Sequence, residues 1–181
     1  MARKKKNENI HYVNNEEFLN AIIEYKKACK EAKANGLPKP RIPNYIGDCI
    51  MKIAENRSHE PNFARYTYRD EMVADAIENC LMYFDNYNPK RSRNPFAYFS
   101  QITFFAFVRR IKKEKKILYK KYKMTEQLGV LGELENPENT DDYNQQFDLY
   151  DNISTFIGDY EESREAKKKK KGKTKRMPLD F

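Results

Sequence analysis

The segment from Asn94 to Lys116 constrains this chain more than any other. Asn94 to Val108 carries no charged residue and holds Phe96, Tyr98, Phe99, Phe104, Phe105 and Phe107; Arg109, Arg110, Lys112, Lys113, Lys115 and Lys116 follow at once. Asn94-Pro95 is a strong helix start, an Asn cap followed by proline at the first helical position. The helix is predicted from Pro95 to about Lys123. On it, 96, 99 and 107 lie on one side, 98 and 105 on another, and 97, 104 and 108 on a third. A helix packed on one face needs only an apolar stripe. This one therefore sits among other helices and carries more rings than a small core uses.

Other helices are legible from spacing. The first spans 14–34, with Asn14 or Asn15 as cap, Glu16 and Glu17 in its first turn, and Phe18, Ile22 and Tyr25 as its apolar face. Gly36 to Pro40 ends it. The second runs from Asn44 to about Asn56 on Tyr45, Ile46, Cys49, Ile50 and Ile53. A loop containing Pro61 occupies 57–67. The third runs from about Tyr68 to Tyr87, its stripe made by Met72, Val73, Ala76, Ile77, Cys80, Leu81 and Phe84. Asp70, Glu71, Asp75 and Glu78 lie off that stripe, and residues 88–93 form a basic turn. With only 6 Gly and 8 Pro among 181 residues, an all-α fold is expected.

Charge divides the rest. Residues 124–163 contain acids and no Lys or Arg, whereas 164–176 contain an unbroken lysine run, Lys167 to Lys171. The chain thus reads as a basic arm (1–13), a helical domain (14–123), an acidic connector (124–163) and a flexible basic tether (164–181). Net charge is +8, which suits a polyanionic partner. Cys29, Cys49 and Cys80 form no C-x-x-C pair, so neither a zinc site nor a disulfide framework is indicated. No apolar run reaches membrane-span length, and the basic N-terminus lacks the apolar segment of a secretory signal. No Gly-rich phosphate loop or His-based metal spacing is present, so no cofactor, metal or catalytic group is expected.

Surplus aromatics beside a cationic helix end suit single-stranded DNA: bases stack on rings while Lys and Arg hold phosphates. The same stretch resembles the second conserved region of bacterial sigma factors. There an acidic-apolar helix, here Asp70 to Leu81, is followed by a Phe-Asp-containing turn, here Phe84 to Pro89, and an aromatic helix that ends in basic residues, here Asn94 to Lys116. The resemblance is closest to the late-promoter sigma factors of large tailed bacteriophages. It rests on Tyr12 to Asn15, Glu71 to Asp75, Asn94 to Tyr98 and Arg110 to Glu114, and covers 11–123.

The resemblance implies a sigma region-2-like domain that binds bacterial RNA polymerase core and melts a minus-ten-type element of late viral promoters, in the cytoplasm of an infected bacterial host. Asp75, Glu78 and Glu71 would meet the polymerase coiled coil. Tyr87 and Phe99 would fall near the aromatics that hold the flipped adenine, with Tyr98 beside them. Arg109 and Arg110 would read upstream base pairs, and Lys112 and Lys113 would hold phosphates. Primary sigma factors carry paired tryptophans near Ile102-Thr103; this chain has no Trp, and Phe104 and Phe105 are the candidates to serve at the DNA fork. A fourth sigma region is missing, which leaves room for a phage co-activator. In its place, Leu179, Asp180 and Phe181 resemble the tail by which the phage family docks on the sliding clamp. The alternative is a phage regulatory protein that binds single-stranded DNA without polymerase. A nuclease built on Asp70, Glu71, Asp75 and Glu78 is disfavoured, because acidic stripes on amphipathic helices are common partner-binding faces.

Overall fold

Asparagine side chains cap two of the helices at their N-termini. In the computed structural model, which describes residues 12–128 and 143–174, with side chains for 12–128 and 151–169, the elements are α1 (Asn15–Ala34), α2 (Asn44–Ser58), α3 (Arg69–Met82), a 3₁₀ turn (Phe84–Asn86), α4 (Pro95–Gln127) and α5 (Tyr143–Thr174). No strand occurs among the described residues. The Asn14 side chain accepts from the backbone N–H groups of Glu16 and Glu17, capping α1. Asn94 does the same for α4, accepting from Ala97 N–H at 2.9 Å. At its other end α1 stops where Gly36 takes a φ of 67°, a conformation open to glycine at little cost. Leu37 N–H then reaches back to the Ala32 carbonyl at 2.8 Å, satisfying an orphaned acceptor of the last turn.

The described residues fall into two compact units that divide between Ile111 and Lys112. In the first, α1 to α4 enclose two adjoining apolar clusters. One gathers Val13, Phe18, Ile22 and Tyr25 of the α1 region, Ile46, Cys49, Ile50 and Ile53 of α2, Cys80 of α3, Phe84, Tyr87 and Phe99. The other joins Ala54, Phe63, Met72, Ala76, Ala106 and Phe107. Burying each large side chain here contributes roughly 1.5–3 kcal/mol, and α2, α3 and α4 each feed both clusters; α4 does so with large rings. Phe99 packs on Phe18 at 5.5 Å and Phe84 at 5.8 Å between centroids, and Phe107 meets Phe63 edge-on at 5.1 Å.

One expected helix end is corrected, and two helices run across expected segment boundaries. The third helix, expected to reach Tyr87, ends at Met82, and the chain tightens into the 3₁₀ turn. Phe84 and Tyr87 keep their helical spacing and are buried, but Asn86, Asn88 and Pro89 favour turn conformations over another helical turn. The fourth helix runs to Gln127 and crosses the expected domain boundary at 123/124. The connector and tether are joined by α5, which crosses 163/164. In the second unit, Ile153 and Ile157 are buried against Tyr119 and Tyr122. Tyr119 stacks on Tyr160 at 4.4 Å, and Tyr122 meets Phe156 edge-on at 5.5 Å. The Tyr119 hydroxyl donates to Glu161 at 2.7 Å and Lys123 lies 3.4 Å from the same carboxylate; together they hold that carboxyl below its ordinary range. No described helix is long and apolar enough to cross a membrane.

Candidate nucleic-acid interface

The aromatic residues of α4 sort by burial. Phe99 is 0% exposed and Tyr87, in the turn before α4, 2%. The Tyr87 hydroxyl donates to the Ser92 carbonyl at 2.6 Å. Both rings, expected near a flipped base, are part of the core in this conformation. Tyr98 is half-buried; its ring lies 5.1 Å from Tyr87 and its hydroxyl donates to the Tyr83 carbonyl at 2.8 Å. Phe104 and Phe105 are 39% and 49% exposed, adjacent at 5.7 Å between centroids. Those two rings remain for stacking. The Arg57 guanidinium stands 5.7 Å from the Phe104 centroid, within cation–π range. Arg57, supplied by α2, was not legible as a site residue, because only the fold brings it to this ring.

A groove of about 860 Å³ lies between α1 and the turn that precedes α4. It is lined by Lys26, Lys27 and Lys30 from α1, by Lys90 and Arg93 from the turn, and by one carboxylate, Asp85. Asp85 is already engaged by Lys39 at 2.8 Å. Leu19 and the exposed Ile23 give the groove an apolar stretch. Lys26 donates to the carbonyl oxygens of Asp85, at 3.0 Å, and of Tyr87, tying the turn to α1; burial pushes its ammonium below the ordinary lysine range. Five cations against one neutralised acid make a surface for a polyanion. The basic turn was legible in the sequence. The α1 lysines carry no motif, although Ile23, Lys26, Lys27 and Lys30 share one helical face at i, i+3, i+4 and i+7.

On α3, Glu71 and Glu78 are exposed together with Leu81 and Met82, opposite the buried Met72, Ala76 and Cys80. Asp75 is different: its carboxylate lies 3.3 Å from Arg110, whose side chain is only 15% exposed. A residue expected at the polymerase and one expected at DNA thus pair with each other, pinning α3 to α4. Arg109 is exposed, and its Nη2 donates to Asn79 Oδ1 at 2.7 Å. Lys112 and Lys113 are exposed in the second unit. Leu179, Asp180 and Phe181, and most of the basic arm, lie outside the described residues. Among the described residues no group of three or more His, Cys, Asp or Glu is placed to hold a metal ion. No family model matches the chain, and no curated protein matches it significantly.

Proposed function

We propose that this chain is a minimal sigma-type factor of late viral transcription, which docks on bacterial core RNA polymerase and directs recognition and melting of a minus-ten-type promoter element. The observation that carries the reading is the segregation of charge on one helical unit. Exposed acids and apolar residues share one face of α3, Glu71, Glu78, Leu81 and Met82, whereas cations line the groove between α1 and the turn. A molecule that must join a basic protein surface to a nucleic acid needs both. The aromatic pair Phe104 and Phe105, with Arg57 beside it, supplies rings for unpaired bases, each stacked base contributing about 1–3 kcal/mol. The sequence resemblance over 11–123 supports the same assignment, and it extends the proposal to the sliding clamp through Leu179, Asp180 and Phe181.

Run-off transcription with purified core polymerase and AT-rich late promoter templates tests this. The chain should convert core enzyme from non-specific to promoter-specific initiation. Absence of any promoter-dependent transcript with active core would reject the proposal. Binding to single strands by the chain alone, cooperatively and without polymerase, would favour a strand-coating regulator instead.

A further inference from the structure

We propose that Asn79 is a positioning residue for Arg109: the face of α3 next to the polymerase-facing acids sets the orientation of the guanidinium that α4 offers to DNA. The inference rests on the promoter-recognition reading given above and adds to it a residue that makes no contact with DNA. Asn79 sits one helical turn after Asp75. Its Nδ2 donates to the Asp75 backbone carbonyl, which leaves Oδ1 as the free end of the amide and fixes which way it points. That oxygen accepts from Arg109 Nη2 at 2.7 Å. The guanidinium is a rigid planar fork, so holding one N–H narrows the directions open to the other four donors. An exposed arginine otherwise samples many rotamers and must lose that freedom on binding. Here the loss is met within the folded protein.

The chemistry of the acceptor matters as much as its position. A carboxylate at 79 would also hold Arg109, but it would cancel the charge that DNA requires. An amide oxygen orients the fork and leaves its full positive charge in place. Arg110 next to it shows the contrast: it is paired with the Asp75 carboxylate at 3.3 Å and mostly buried. Of the two arginines, Arg109 is therefore the one presented to a ligand, and Asn79 is what presents it.

The test compares Asn79→Ala and Asn79→Asp in two measurements. In the first, the complex with core polymerase is titrated with promoter fork probes that differ by one base pair at each upstream position. Asn79→Ala should lose about tenfold of preference at one position, within the range of one bidentate guanidinium–base pair, while its affinity for a non-preferred probe stays within twofold. Asn79→Asp should do the reverse, keeping the preference ratio and losing overall affinity. In the second, NMR of the Arg109 guanidinium should show hindered rotation in the wild type and in Asn79→Asp, and free rotation in Asn79→Ala. A wild-type complex indifferent to base identity everywhere would overturn the promoter-recognition reading. A wild-type preference that Asn79→Ala leaves intact, or ratio and affinity falling together in both variants, would overturn the positioning role. So would an Arg109 guanidinium that rotates as freely in the wild type as in Asn79→Ala.

Discussion

Replacing Phe99 by alanine, beside the same change at Phe105, separates a core ring from one proposed to meet DNA. Phe99 is fully buried and stands within 5.1–6.2 Å, centroid to centroid, of Phe18, Phe84, Tyr87 and Tyr98. Truncation removes its transfer free energy and leaves a cavity among those rings, which for Phe→Ala costs about 3–5 kcal/mol. A domain of this size has roughly 5–15 kcal/mol of total stability, so the variant should lose a large share of it. With about 4–8 °C lost per kcal/mol, Tm should fall by at least roughly 12 °C. Phe105, half exposed, should cost roughly 1 kcal/mol or less, in keeping with a surface position. Urea denaturation of wild type, Phe99→Ala and Phe105→Ala reads stability from the midpoint at constant m. Fluorescence anisotropy with a single-stranded probe, in the presence of core polymerase and at a temperature where all three are folded, reads binding. The expected pattern is crossed: Phe99→Ala loses stability and keeps affinity, and Phe105→Ala loses about 1–3 kcal/mol of binding and keeps stability. A Phe99→Ala protein as stable as the wild type but defective on DNA would refute this reasoning, because the ring would then have to leave the core to meet a base.

Three further outcomes follow from named contacts. Glu71→Lys with Glu78→Lys, which spares the Asp75–Arg110 pair, should abolish co-purification with core polymerase, since like charges at a contact oppose docking; unchanged recovery from a folded double variant would remove α3 as the docking face. Lys27→Ala with Lys30→Ala should lower the slope of log affinity against log salt by about 1.4, two phosphate contacts at ~0.7 each on a single strand, and a slope equal to that of wild type would show that the groove takes no phosphates. Burial pushes the Cys80 thiol up to about 11 from 9.0; an acid whose pKa is raised on folding favours the protonated native state, so its contribution is present in full below pH 9 and is lost as pH rises toward 11, and a stability profile flat across that window in the wild type but not in Cys80→Ala would contradict it.

Much of the fold was written in local pattern. The Asn14 and Asn94 caps, the Gly36 terminus and the stripes of α1, α2 and α3 are short-range signals, and the structure places them within a few residues of expectation. α5 is hard to see in the sequence because charge dominates its composition. Its mean polarity is high, yet Ile153, Phe156, Ile157 and Tyr160 stand at i, i+3, i+4 and i+7, and those are the residues that pack or stack on Tyr119 and Tyr122. The candidate site was less legible than the fold. Sequence showed that α4 holds more rings than a core needs, but which rings face out depends on how far α1 and the turn before α4 wrap around it; Phe99 went in, Phe104 and Phe105 stayed out. Asn79 and Arg57 carry no motif at all. Their meaning comes from partners 30 and 47 positions away in sequence, Arg109 and Phe104.

In the proposed function the chain reads DNA only as part of a polymerase complex. Equilibrium binding of a labelled promoter fork to the chain alone, to core polymerase alone and to the two together tests it most directly. Sequence-selective binding is expected only for the combination, with selectivity lost in Glu71→Lys/Glu78→Lys because the factor no longer docks. Selective or cooperative binding by the chain alone, unaffected by core polymerase, would contradict it.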